Sequence, residues 1–253
     1  MKATKTIIGT IIAVLTVSLS ASATTYSGNG SFAWNGAIGL GSLTLTDNGT
    51  TVFGSLTTGG GLGGNAFVLY LQTGGGGFNS TIGFNDSNDQ LRSAISQYTA
   101  TGNGGGVGQS VLDFASGFAP NYAIAMQPDS GINFGGLWQL ANGGANSLNY
   151  VNSVNLSPTG VDTTGTYTFS FNLSDVGLTA GQSFELFGMQ ISQTGYSSPE
   201  ALGGNLTGAN GWGGTQNEVG YSTYTTTPVP EPSTLAICGL SGLAALLAVR
   251  RRK

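Results

Sequence analysis

Gly165-Thr166-Tyr167-Thr168-Phe169-Ser170-Phe171-Asn172-Leu173 is the stretch that decides the fold class. Tyr167, Phe169, Phe171 and Leu173 alternate with Thr, Ser and Asn. A period of two places the apolar side chains on one face of a β-strand and the polar ones on the other. The pattern recurs on either side. Residues 42–46 and 51–57 flank Asp47-Asn48-Gly49, a hairpin turn signal. Residues 65–73, with Phe67, Val68, Leu69, Tyr70 and Leu71 in succession, are apolar on both faces and read as a central strand, as do residues 183–193. Further strands are expected near 26–34, 78–84, 111–114, 122–127, 136–140, 149–156 and 219–226. Short strands at turn-bounded intervals predict an all-β domain over residues 24–227, an antiparallel β-sandwich or jelly roll. One short helix is expected at 87–98. Ser87 would cap it, with Gln90 three residues on, and Leu91, Ala94, Ile95 and Tyr98 fall at helical spacing. A second short turn is expected at 173–178.

Composition narrows the chemistry. Of 253 residues 44 are glycine, only 7% are charged and 39% are hydrophobic, where charged residues usually make up about 25%. A core can be built, and charge-driven disorder is excluded. The glycine clusters (59–61, 74–77, 104–106) suit tight connections at positive φ. Residues 59–64 lack the helix and the Lys-Ser/Thr of a phosphate-binding loop, and no fixed period marks a solenoid. There is no histidine, which removes Ser-His-Asp and Cys-His nucleophile systems, His-ligated zinc and histidine general bases. Cys238 is the single cysteine and lies in an apolar run, so no internal disulfide forms.

Charge is segregated along the chain. Lys2 and Lys5 open it, Arg250, Arg251, Arg252 and Lys253 close it, and Arg92 alone lies between. Residues 24–230 carry seven aspartates and three glutamates against that one arginine, a net charge of −9. Such a body offers no footprint for nucleic acid. The two lysines, an apolar stretch over 7–19 and Ala21-Ser22-Ala23 read as a secretory signal peptide (1–23), cut after Ala23 by signal peptidase. At the other end Pro228-Val229-Pro230-Glu231-Pro232-Ser233-Thr234 precedes an apolar run over 235–249 and the basic tail 250–253. Fifteen helical residues span about 22 Å, short of the roughly 30 Å hydrocarbon layer. The flanks nevertheless read as a membrane helix, because a basic cluster directly after an apolar helix holds that end in the cytoplasm. The prolines before it leave an extended, accessible segment. The chain is therefore expected to be exported across the inner membrane and held there transiently by its tail.

Val229-Pro230-Glu231-Pro232-Ser233-Thr234, the short apolar helix and the arginine cluster together resemble the PEP-CTERM sorting signal (228–253) of Gram-negative bacteria. The resemblance implies recognition by an exosortase, a membrane transpeptidase-like protease. Pro230, Glu231 and Pro232 would be its recognition residues. Removal of helix and tail would release the protein or re-attach it at the cell surface. It also implies ties to exopolysaccharide and biofilm, and glycosylation. Within the body, 65–70 (Asn-Ala-Phe-Val-Leu-Tyr), 118–125 (Phe-Ala-Pro-Asn-Tyr-Ala-Ile-Ala) and 178–184 (Leu-Thr-Ala-Gly-Gln-Ser-Phe) resemble secreted β-sandwiches of the DOMON or family-9-like carbohydrate-binding type.

Carboxylates are the only acid–base groups left. Glu185, Glu200 and Glu218 could supply a glycosidase pair if two stood about 5–10 Å apart in a cleft. Three glutamates in such a body are no enrichment, and solvated surface side chains are the simpler account of them. Asp86-Ser87-Asn88-Asp89 and Asp129-Ser130-Gly131 group oxygen ligands suited to calcium, with Asp86 and Asp89 as the metal candidates. The run 87–89 is also what a helix start requires. Trp34, Trp138 and Trp212 could hold sugar rings. Trp138, in Gly-Leu-Trp-Gln-Leu, reads as core, and Trp212, in a Gly/Asn loop, is the candidate for glycan contact or a loop anchor. The expected function is a non-enzymatic exported surface or matrix protein associated with exopolysaccharide. A calcium- or tryptophan-dependent carbohydrate-binding module and a carboxylate-based polysaccharide-acting enzyme are the alternatives.

Overall fold

A computed structural model describes residues 23–100, 108–128, 131–142, 147–160 and 165–228, all within one compact unit, Ala21–Pro228. Apart from exposed Ala23, the expected signal peptide lies outside the described residues. So do the expected C-terminal helix and basic tail, Pro230, Glu231 and Pro232, the 104–106 glycines and Asp129. No helix among the described residues is long and apolar enough to cross a membrane.

In chain order the first strands are β1 (Thr24–Ser27), β2 (Ser42–Asp47), β3 (Thr51–Thr57) and β4 (Ala66–Gln72). The helix α1 (Gln90–Ser96) follows, then β5 (Tyr98–Thr99), β6 (Gly108–Gln109), β7 (Val111–Asp113), β8 (Tyr122–Gln127), β9 (Phe134–Gln139) and β10 (Asn149–Ser153). The chain ends with β11 (Thr166–Asn172), a 3-10 turn (Leu173–Val176), β12 (Ser183–Ile191), β13 (Ser197–Leu202), β14 (Asn205–Gly208), β15 (Thr215–Val219) and β16 (Ser222–Thr225).

A four-stranded sheet runs β1-β2-β3-β11, and a seven-stranded sheet runs β10-β9-β8-β4-β12-β13 with β16 on β12. All of their pairings are antiparallel. Alternation explains how they pack. On β11, Tyr167, Phe169 and Phe171 turn inward, opposite Leu56, Gly54 and Val52 of β3. They meet Phe67, Leu69, Ile124, Leu137, Phe184 and Leu186 of the larger sheet in one core. Each buried ring or branched chain contributes roughly 1.5–3 kcal/mol. Gly54 has no side chain because the Phe169 ring occupies the space a Cβ would need.

The fold departs from a two-layer sandwich in one respect. Ala66, Val68 and Tyr70 of β4 face away from that core and enter a second one. There they pack with Trp138, Phe187 and Met189 under Leu91, Ala94 and Ile95 of α1, Leu112 of β7, and Phe84, Phe114 and Phe118. The large sheet is thus covered on both faces, which is why its central strand reads as a continuous apolar run. A three-stranded sheet, β14-β15-β7, belongs to this third layer, and its β7–β15 pairing is parallel.

The expected elements shift accordingly. The helix is shorter than 87–98, because Asp89, not Ser87, caps it: its Oδ1 accepts Arg92 N at 2.8 Å. Gln97, in the left-handed region, ends it. Residues 78–84 form turns with isolated bridges at Ser80, to Asp113, and at Phe84, where a strand was expected. The strand expected at 26–34 stops at Ser27, and that expected at 219–226 is Ser222–Thr225, since Val219 ends β15. Strands β13, β14 and β15 are additional. The predicted turn after Asn172 is present.

Candidate functional site

Glu200 organises a surface on which three aromatic rings meet. It lies on β13, fully buried. Its Oε1 accepts the backbone N–H of Trp34 at 2.6 Å and of Gly36 at 2.9 Å. Its Oε2 accepts Ile38 N at 2.9 Å and Gly39 N at 3.1 Å. Four charge-assisted bonds hold the 34–39 turn, which has no ladder of its own to satisfy those donors. Asn29 adds a second tie, with its Nδ2 on Pro199 O and its Oδ1 accepting Ala201 N. Gly59 and Gly60 pack directly on the carbonyls of Gly36 and Asn35, so close backbone approach, not positive φ, explains that glycine cluster.

The turn delivers Trp34 onto Tyr196, with ring centroids 5.7 Å apart and planes inclined 25°. Tyr196 meets Trp212 edge-on at 5.7 Å and 68°. Tyr196 is 36% exposed and both tryptophans are half-buried. Trp212 Nε1 donates to Thr194 O at 3.2 Å, and its ring lies where a side chain on Gly108 would stand. Gly211 (φ +84°) turns the loop beneath the Tyr196 ring. Thus Trp212 is at once a loop anchor and part of a continuous aromatic surface. Trp34 joins it, whereas Trp138 is buried in the second core as expected. The sequence points to the tryptophans, and to Glu200 only as one of a possible catalytic pair; it signals neither Tyr196 between the rings nor the anchoring role of Glu200, whose partners lie more than 160 residues away.

The other acidic candidates are occupied differently. Asp86 is fully buried, and its Oδ2 contacts Arg92 Nη1 at 2.6 Å and accepts Leu148 N at 3.0 Å. Asp89, half-exposed, contacts Arg92 Nε at 3.1 Å. Arg92 Nη1 also donates to Leu148 O at 2.6 Å. The Arg92 guanidinium thus lies between the two aspartates and fastens α1 to the segment before β10. No group of three His, Cys, Asp or Glu side chains suited to a metal occurs among the described residues.

Glu185 lies on β12, across from Gln72 and Thr223. Glu218 lies on β15, nearly buried, with Oε2 accepting Ala115 N at 3.3 Å and Oε1 lacking a partner among the described residues. Burial pushes its carboxyl up to about 8, and the Ala115 bond opposes this only in part.

At the end of the body, Asp47 is buried and accepts Tyr224 OH at 2.7 Å, Thr227 N at 3.0 Å and Thr227 Oγ1 at 3.1 Å. Burial, and then the Asp47 carboxylate, raise the Tyr224 phenol far above its ordinary range. The chain is fastened up to Thr227, one residue before the proline-rich segment begins.

Comparison with known proteins places that segment. The PEP-CTERM protein-sorting motif matches residues 228–253. The motif marks the chain for export, with an exosortase as its processing partner and the cell surface or exterior as its destination. No curated protein and no solved structure matches the chain.

Proposed function

We propose that this chain is a non-enzymatic component of the cell surface or extracellular matrix, delivered by exosortase and associated with exopolysaccharide through its β-body. The observation that carries the reading is the sorting motif at 228–253, beginning directly where Asp47 fastens the end of the body at Thr227. Signal peptidase would cut after Ala23. The 235–249 helix would then hold the chain in the inner membrane until Pro230, Glu231 and Pro232 are recognised.

The body suits that environment. A charge of −9 leaves it repelled by polyanions and indifferent to nucleic acid. The Trp34–Tyr196–Trp212 surface offers flat rings with polar edges, the combination that holds sugar rings by apolar contact and hydrogen bonding. Glu200, with both oxygens committed to backbone N–H groups, supports a positioning role rather than acid–base chemistry. The test is fractionation of host cells carrying the wild-type chain or one with Pro230, Glu231 and Pro232 changed to alanine. The wild type is expected at the surface or in the medium and the variant in the membrane fraction. Identical distributions would overturn exosortase sorting. Release of Trp34→Ala or Trp212→Ala protein from the polysaccharide fraction would support glycan contact at the aromatic surface.

A further inference from the structure

The two faces of the body are finished in opposite ways. The outer face of the large sheet is covered by α1 and the β7–β15 layer. No described segment covers the outer face of the four-stranded sheet. Its outward positions are legible from the burial alternation and the register. On β1, β2, β3 and β11 every one of them is Ser or Thr except Phe53 and Asn172. The register sets these side chains in rows across the strands, Thr25–Thr44–Ser55–Thr168 and Thr46–Phe53–Ser170 among them. Rows recur at about 6.8 Å along a strand and neighbours at about 4.8 Å across strands.

Two properties point to an occupant. First, the face is uncharged. None of the body's acids projects from its strands, since Asp47 points inward and Asp175 lies only at the rim, bonded to Asn172. The face therefore offers no carboxylate for a cationic partner to pair with and no cation for a polyanion, and electrostatic complementarity favours an uncharged occupant. Second, one aromatic stands in the hydroxyl field without a place in either core. Phe53 is 44% exposed, flanked by Thr46 and Ser170. It borders a shallow depression of about 290 Å³, shared with Thr44, Ser55, Thr168 and Asn155. Asn155 forms its wall, with Nδ2 on Ser170 Oγ at 3.4 Å. Thr25 and Thr44 are mutually hydrogen-bonded at 2.9 Å, as are Thr57 and Thr166 at 3.1 Å. Among the described residues no such bond occupies the hydroxyls of Thr46 and Ser55. Each hydroxyl both donates and accepts, as a sugar hydroxyl does, and an aromatic face takes the C–H face of a pyranose.

We infer that this face is a second polysaccharide-binding surface, for an uncharged glycan chain lying across β2, β3 and β11 with one ring on Phe53. The inference rests on the proposed matrix role and adds a site distinct from Trp34–Tyr196–Trp212. It is tested with the full chain, purified in detergent, by native electrophoresis through gels containing hydroxyethyl cellulose, dextran or galactomannan, with polygalacturonate as the anionic control. At least one neutral polymer is expected to retard the wild type, and polygalacturonate none. Phe53→Ala and Ser55→Ala are expected to weaken that retardation about tenfold and a few-fold, with little change in melting temperature because neither side chain enters either core. Retardation lost in Trp34→Ala or Trp212→Ala but intact in Phe53→Ala would assign binding to the aromatic surface and overturn this one. Absence of retardation in every neutral gel would overturn it too, while leaving sorting, read separately by fractionation, untouched. Concentration-dependent self-association abolished by Phe53→Ala would make the face a self-interface and equally contradict the inference.

Discussion

At the scale of single residues, two buried ionic groups hold the surfaces that matter. Glu200 gathers the four N–H groups that shape the Trp34 turn. Glu200→Gln removes the charge and presents an NH2 group to donors that need acceptors, and is expected to cost about 2–4 kcal/mol. Thermal melting measures the loss, and the near-ultraviolet circular dichroism of Trp34 should change with it. Arg92 is the body's only basic residue and compensates buried Asp86. Arg92→Met would strand that carboxylate and is expected to cost about 3–5 kcal/mol. With the guanidinium in place, melting temperatures in calcium and in chelator should coincide; a rise in calcium would mean that the metal competes successfully for Asp86 and Asp89. The same logic makes many glycines intelligible. Gly54, Gly108, Gly188 and Gly211 each stand against an aromatic ring that a side chain would displace.

At the scale of elements, the β3–β11 pair joins the first core to the hydroxyl face. Gly54→Val drives two methyl groups into the Phe169 ring and should destabilise by about 1–3 kcal/mol through overpacking. Ser55→Val, one residue along and facing outward, should change stability little, which urea denaturation of the pair would establish. The alternation that predicts this effect was legible beforehand: β3, β4, β8 and β11 lie where their periodicity puts them. The third layer and the edge strand β13 of the large sheet were not. Strands β13, β14 and β15 are short and rich in Ser, Asn, Thr and Gly, so they carry the composition of loops. The parallel partners β7 and β15 are about a hundred residues apart, a pairing with no local signal. Residues 78–84 have the aromatics of a strand, but Phe78 and Phe84 pack edge-to-face at 5.0 Å across a turn closed by Phe84 N to Thr81 O. Of the aromatic site, the tryptophans were legible as a type of residue, whereas their assembly through Tyr196 depends on contacts distant in sequence.

At the scale of the whole molecule, stability should respond to pH through Glu218. Its carboxyl titrates near 8 when folded against an ordinary 4.5. Between those values the folded body holds a proton that the unfolded chain releases. The contribution is therefore complete below about pH 4.5 and is lost as pH rises toward 8. Glu218→Gln should flatten this fall, gaining on the wild type by a few kcal/mol between pH 5 and 8. Parallel pH–stability curves for the two proteins would show that the group titrates normally. The proposed route would carry an acidic β-body outward between two apolar, basic ends, with exosortase acting on the second. Intact-mass spectrometry of the surface or secreted protein from its host tests this most directly. The account predicts a chain that begins at Thr24 and lacks Arg250, Arg251, Arg252 and Lys253, and a tail that persists when Pro230, Glu231 and Pro232 are replaced. A surface protein that still ends at Lys253 in the wild type, or a full-length form confined to the cytosol, would contradict it.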